Sequence, residues 1–290
     1  MSVLFRNAFK LTKSIGLHSS YAKFAAGVTA VTITAVTNQS RTFCSTSENA
    51  EPTGFKPTIY QYLICPFCNR VKSYLDYCGI EYKSIEVNPL TKSEINFPVT
   101  NKKVPIAMIN GEVVEDSARI IAVITEMGNK GELKGFPGKE FFPEDTEEWT
   151  EWSEKKLAVM LYPNITRTMD ESWECFSYAD NVETWSKFQQ ILVRVVGTVA
   201  MSLANGKIKK KYNIIDERKE LKEVINVWCD ALKGQKFLHG DKVTMPDIMV
   251  YGVLKSIQGL RTFNEIMADN AILKVWYDHV EQAIPSAANK

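Results

Sequence analysis

The first 47 residues contain no aspartate or glutamate, although Arg6, Lys10, Lys13, Lys23 and Arg41 lie among them. The whole chain has only three histidines, His18, His239 and His279, and none stands at metal-ligand spacing from a cysteine. Six cysteines in 290 residues are too few for a secreted disulfide framework. There is no strong excess of charge of either sign. Formal net charge is +1, and removing the acid-free segment leaves 30 basic against 34 acidic side chains, which excludes a general nucleic-acid binder. The uncharged stretch Phe24 to Thr37 falls short of the ~20 apolar residues needed to span a bilayer and includes four threonines.

Residues 1–47 therefore read as a targeting segment. They are basic, rich in Ser and Thr, and place Val3, Leu4, Phe5, Phe9, Leu11 and Ile15 on a common helical face. Import into the mitochondrion is the expectation, with membrane association through Phe24–Thr37 as the rival reading; the two are compatible. Glu48 to Pro57, with two prolines and a glycine, is a linker.

What is present is organised around Thr58-Ile59-Tyr60-Gln61-Tyr62-Leu63-Ile64-Cys65-Pro66-Phe67-Cys68. An apolar run ends at a cysteine, proline follows, and a second cysteine comes three residues after the first. Proline is best tolerated at the first helical position, where its missing N–H has no intrahelical partner anyway. That puts Cys65 at the N-cap, where unpaired N–H groups and the helix dipole favour a thiolate. Cys68 lies one turn inside. A C-x-x-C at a strand-to-helix junction reads as thiol or redox chemistry. Half of a zinc site is the alternative, and Cys44, Cys78, Cys175 and Cys229 supply no second pair.

Downstream, Val71, Leu75 and Cys78 mark a helix face closed by Gly79. Tyr82 to Val87 is a second strand. Asn110-Gly111 between Val104–Ile109 and Glu112–Val114 is a hairpin signal, because both turn residues accept positive φ. Asp116 or Ser117 then caps a helix through Ile120, Ile121, Ile124 and Met127, closed by Gly128. The order β-α-β-α-β-β-α, with Val-Pro before the third strand, resembles a thioredoxin-like domain of glutaredoxin type over 57–128. In that fold the Val104-Pro105 bond is cis and leaves the Val104 backbone free to bind an extended peptide.

Residues 129–143 read as a linker and 144–285 as an all-helical domain resembling the C-terminal domain of glutathione transferases. The expected helices are 144–160, 181–203, 215–232, 246–260 and 270–284. Thr244-Met245-Pro246-Asp247 is a capping box that opens a buried helix, with no chemistry assigned to Asp247. The six tryptophans are expected in the core, and His239 and His279 are structural.

Taken together and in order, Tyr60-Gln61-Tyr62 before Cys-Pro-Phe-Cys, Glu86-Val87-Asn88-Pro89, Lys103-Val104-Pro105-Ile106, Asp116-Ser117 and Tyr251-Gly252-Val253-Leu254 resemble the prostaglandin E synthase 2 family. The likeness runs from about Pro57 to Ile284. It implies isomerisation of prostaglandin H2, or a related lipid endoperoxide, to prostaglandin E2 with a thiol as activator. It implies Cys65 as the catalytic thiol, Cys68 and Tyr62 beside it, and Pro66 and Phe67 along the substrate pocket. It also implies glutathione at Val104, Pro105, Asp116 and Ser117, haem held through the glutathione sulfur, and a homodimer. The lysine that glutaredoxins place just before the first cysteine is replaced by Leu63 and Ile64, so glutathione binding is expected to be weak and Cys65 to lack a nearby cation. Two other classes fit the same fold: a glutathione-dependent disulfide oxidoreductase or transferase, and a non-catalytic module whose cysteines hold haem or an iron–sulfur group.

Overall fold

The computed structural model describes residues 55–285. The expected targeting segment, 1–47, lies outside them. Four strands form one sheet in the order β2-β1-β3-β4: β1 (Thr58–Gln61), β2 (Lys83–Glu86), β3 (Ile106–Ile109) and β4 (Glu112–Glu115). β1 runs parallel to β2, and the other two pairings are antiparallel. Asn110 and Gly111 both adopt positive φ between β3 and β4, as the hairpin reading requires.

Helix α1 (Pro66–Tyr77) follows β1 and α2 (Ser117–Asn129) follows β4. α1 closes in a Schellman arrangement: Gly79, at φ +65°, donates to the Asp76 carbonyl, and Ile80 donates to that of Leu75. Ile59, Ala107 and Ile109 point from the sheet into the main core with Val71, Leu75, Ile120 and Ile124.

The helix expected between β2 and β3 is absent: 88–104 forms turns. The Asn88 side chain accepts the N–H groups of Leu90 and Thr91, offering the backbone a local alternative to helix. Pro89 and Pro98 bracket too short a stretch for a stable helix. This segment instead covers the second face of the sheet, packing Ile95, Phe97 and Val99 on Val87 and Ile106. Gly128 does not end α2 either. It lies within the helix, where a Cβ would fall 2.3 Å from the Phe136 ring, and the turn comes at Gly131 with φ +78°.

The remainder is helical. α3 (Thr146–Trp152) runs through a π-helical turn (Ser153–Leu157) into α4 (Ala158–Ile165), overrunning the expected end despite Pro163. α5 (Met169–Cys175), α6 (Lys187–Tyr212), α7 (Glu217–Leu232), α8 (Met245–Lys255), α9 (Arg261–Asp269) and α10 (Ala271–Ala283) follow. α5 and α9 are additions to the five helices read from the sequence; both are short, and periodicity distinguishes them poorly from loop. The Thr244–Asp247 capping box is present, and buried Asp247 also accepts the Trp276 indole N–H at 2.9 Å. Trp149, Trp185, Trp228 and Trp276 are core residues as expected, but Trp173 is exposed beneath the Arg194 guanidinium. His239 bridges Thr244 and Asp145.

α8 is buried along nearly its whole length and packs on α1. The contact is possible because residue 252 is glycine: a Cβ there would stand 2.7 Å from the Arg70 Cα and 2.9 Å from the Asn69 carbonyl. Gly252→Ala should force two backbones apart and destabilise the fold by about 1–3 kcal/mol. The check is a urea midpoint; an unchanged midpoint would mean that the helices already have room.

Candidate functional site

The site begins where β1 ends. The Cys65 N–H donates to the Tyr62 carbonyl at 3.0 Å, closing the turn before Pro66 starts α1. Glu86, paired across β2 with Gln61, accepts the Leu63 N–H at 2.8 Å. Asn69, on the first turns of α1, donates its amide to the carbonyls of Leu63 and Cys65 at 2.6 and 3.0 Å. Glu86 of β2, Asn69 of α1 and the Tyr62 carbonyl just beyond β1 thus fix the loop that carries Cys65.

Cys65 occupies the N-cap with extended backbone (φ −83°, ψ 120°) and is half-buried, whereas Cys68 is fully buried. Both are free thiols. The Cys65 sulfur makes no neutral capping bond. Its pKa is nevertheless lowered, first by the Cys68 thiol donating to it, then by the N–H groups of Cys68 and Phe67 and by Lys72, all against the opposing effect of burial. Cys68 moves the other way: burial and the adjacent Cys65 hold it well above the ordinary thiol range. One sulfur is thereby prepared as thiolate and the other as proton donor.

The expectation that Cys65 lacks a nearby cation is corrected by Lys72. It lies seven residues on, two helical turns along the same face, and its charge favours both thiolates. That i+7 spacing is legible in the sequence once the helix is granted. Burial lowers the pKa of Lys72 itself, opposed by Cys68 and Glu86. Glu86 is pushed up to about 7 by burial, against the Leu63 N–H and Lys72.

Tyr62 lies half-buried and packs with Val104 on the Val87–Ile95–Ile106 cluster. Burial, then the two cysteines, push its phenol up to about 12, so it remains a proton donor. Tyr178 from the helical part is buried, and burial first, then the nearby charges of Glu86, Cys175 and Tyr62, push its phenol up; nothing in its local sequence announces that proximity. Pro66 forms the first helical position, and half-buried Phe67 packs one side against the main core.

The Val104-Pro105 bond is cis, with Val104 half-buried and Pro105 buried. Upstream, the Glu115 carboxylate accepts the N–H groups of Thr100 and Asn101, tying this loop to the end of β4. Asp116, not Ser117, is the N-cap of α2, accepting the Ala118 N–H at 2.9 Å. Ser117 is the first helical residue and is buried. Asp116 takes φ +76°, ψ 135°, a conformation costing roughly 1–3 kcal/mol for a non-glycine and concentrated at functional sites. Among the described residues no group of three His, Cys, Asp or Glu side chains could hold a metal ion.

Residues 59–129 match the glutathione S-transferase N-terminal domain, and 194–283 match the C-terminal domain. Prostaglandin E synthase 2 of Danio rerio is 30% identical over 273 residues, covering 80% of this chain and 72% of that one. This chain belongs to the prostaglandin E synthase 2 family. The mouse (Mus musculus) prostaglandin E synthase 2 is 29% identical over 274 residues, covering 79% and 71%. Glutathione transferase F7 from Populus trichocarpa shares the fold at a TM-score of 0.50 and 14% identity, covering 80% of this chain and 95% of that structure. As a prostaglandin E synthase 2 family member, the chain joins a thioredoxin-like domain to a helical domain of glutathione transferase type, as read from the sequence.

The electrostatics of the thiol pair give a pH prediction. Lowering the Cys65 pKa keeps its thiolate, and so its alkylation rate, at pH values where an ordinary thiol is protonated; reactivity is lost only as pH falls through the lowered value. Cys68→Ala removes the largest stabilising contact, so the midpoint of the iodoacetamide rate profile should rise, and Lys72→Met should raise it less. A Cys68→Ala profile superimposed on that of the unaltered chain would refute the assignment.

Proposed function

We propose that this chain is a thiol-dependent isomerase that converts prostaglandin H2, or a related lipid endoperoxide, to prostaglandin E2 at Cys65. The observation that carries the reading is the split pair: a half-buried Cys65 favoured as thiolate at the N-cap, beside a buried Cys68 favoured as thiol. The names of the fish and mouse relatives support it. The Cys65 thiolate attacks one peroxide oxygen, forming an S–O bond as the O–O bond breaks. The other oxygen leaves as alkoxide and takes a proton, a step that Tyr62 would assist, since its phenol stays protonated. Loss of the ring C–H proton beside the sulfur-bound oxygen yields the ketone and returns the thiolate. No net electrons are consumed, so Cys68 is not required as a redox partner.

Glutathione is the proposed thiol ligand. The Val104 backbone would pair with its peptide, and exposed Asp116 would meet the ammonium of its γ-glutamyl end, with Ser117 and the start of α2 at its carboxylate. Leu63 and Ile64 supply no charge for the other carboxylate, and the Lys72 charge acts on Cys68 and Glu86. Binding should therefore be closer to millimolar than micromolar, about −4 kcal/mol. Calorimetry giving a submicromolar constant would show that another cation completes the site. Haem would be held through the sulfur of bound glutathione, since described His239 is engaged with Thr244 and Asp145. The basic, acid-free first 47 residues support delivery to the mitochondrion.

The second reading, a disulfide oxidoreductase of glutaredoxin type, is favoured by the same Cys68 thiol at hydrogen-bonding range of Cys65. Two variants separate them. Cys65→Ser should abolish prostaglandin E2 formation above the thiol-only background. Cys68→Ser keeps a hydroxyl donor beside Cys65 and should retain most isomerase activity while losing reduction of a protein disulfide, which needs both sulfurs. If the unaltered chain reduces protein disulfides well and forms no prostaglandin E2 above background, the oxidoreductase reading replaces the isomerase.

A further inference from the structure

The pairing of β1 with β2 carries a feature that endoperoxide turnover leaves unused. Ile59 points from β1 into the core that α1 shares, so Gln61, two residues on, faces the same side. Glu86 stands opposite Gln61 in the parallel register and shares that face. Lys72 lies one turn after Cys68 on α1, which makes the two side chains neighbours. Its charge bears on both Cys68 and Glu86. Cys68 has no exposed surface, whereas Lys72 and Glu86 are half-buried and keep contact with water. A proton leaving Cys68 therefore has no direct way out.

We propose that Cys68 is the second nucleophile of the site and that its proton leaves by way of Lys72 to Glu86. The inference rests on the disulfide-exchange reading and is independent of endoperoxide turnover. When Cys65 is held in a mixed disulfide with a substrate thiol, Cys68 attacks the Cys65 sulfur. A Cys65–Cys68 bond forms, the bond to the substrate sulfur breaks, and the substrate leaves as a thiolate. The two cysteines lose two electrons, and the disulfide substrate gains them. As Cys68 gives up its proton, Lys72 takes it and passes one of its own to Glu86. Glu86 then yields that proton to the leaving thiolate or to water. One ammonium thus serves two acids in turn, and the half-buried site never holds an added unpaired charge.

Glu86 suits this exchange. Burial first pushes it up to about 7, against the Leu63 N–H, Lys72 and Gln61, while Glu94 of the 88–104 segment acts with burial. The phenols of Tyr62 and Tyr178 also lie near it, and both stay protonated. Asp76 of α1 and Lys255 of α8 face Lys72 and shift it in opposite directions. Gln61 is buried, its amide bonds the Glu86 carboxylate, and its Oε1 has no partner. Turned over, the same amide accepts the O–H of protonated Glu86, so both charge states are accommodated.

The test is the reaction of the full-length chain with dithiobis(nitrobenzoate). Attack by Cys65 releases one coloured thiolate, and attack by Cys68 on the resulting mixed disulfide releases a second. Release from Cys65→Ser is subtracted, and Cys68→Ser should lack the second phase. In the unaltered chain the second-phase rate should rise through about pH 7 and then level off. Glu86→Gln keeps an oxygen for the Leu63 N–H but cannot take the proton. Its second phase should slow roughly 10–100-fold above neutral pH and keep rising with hydroxide. Lys72→Arg keeps the charge but cannot release a proton, and should slow to a similar degree. The first phase of each trace normalises any change in how Cys65 is presented. If Glu86 only competes with Cys68 for the Lys72 charge, Glu86→Gln speeds the second release and Lys72→Arg leaves it unchanged; either result overturns the proposal. A single equivalent from the unaltered chain overturns both the proposal and the disulfide-exchange reading, and leaves the isomerase reading standing.

Discussion

The close approach of α1 to α8 at Gly252 is the contact on which the site depends. α1 begins with the reactive cysteine, and its position relative to the helical half is set where its backbone meets α8. Arg70 is buried at this junction, reaching the Met249 sulfur at 3.4 Å and the Glu154 carboxylate at the same distance. One of its terminal nitrogens has no hydrogen-bond partner. Burying an incompletely paired guanidinium is costly, so the junction is tolerated because packing around it is dense. The two halves consequently share a core, with Val71 and Leu75 of α1 in the same cluster as Met249 and Val253 of α8.

From that fixed helix the chemistry follows by position alone. Two cysteines three residues apart receive opposite treatment because one sits at the helix start with N–H groups ahead of it, and the other sits inside, away from water. The bond between the two sulfurs lowers the pKa of Cys65 and, after burial, raises that of Cys68. Lys72 and Glu86 add a cation and a carboxylate of intermediate proton affinity around the pair. The surroundings of Cys65 are therefore built by α1 and the β1–β2 edge.

Much of this was legible in the sequence where a local rule is stringent. C-x-x-C with proline between, Asn-Gly between apolar runs, and Thr-x-x-Asp before an apolar helix each restrict the backbone within four residues, and each appears as read. Legibility failed where the deciding partner is distant or the signal is composite. The 88–104 segment looks polar enough for a surface helix, but an Asx turn and two prolines win, and Ile95 is buried by the sheet's second face. Glu86 and Asn69 become site residues only because strand pairing and helix phase bring them to Leu63. Tyr178 comes from the helical part, far along the chain, and Gly128 lies inside α2, where its missing Cβ leaves room for the Phe136 ring.

The α1–α8 junction also sets an order of assembly. Arg70 and Met249 are 179 residues apart in the chain, and contacts of such separation form late because a long loop must close before they stabilise anything. A ribosome releases the strand and helix bearing Cys65 early, yet the surface that covers that helix is among the last to emerge. Until α8 arrives, the dithiol helix lacks its covering and Arg70 lacks Met249. The reactive end of this protein is thus among the first parts made and among the last to be covered.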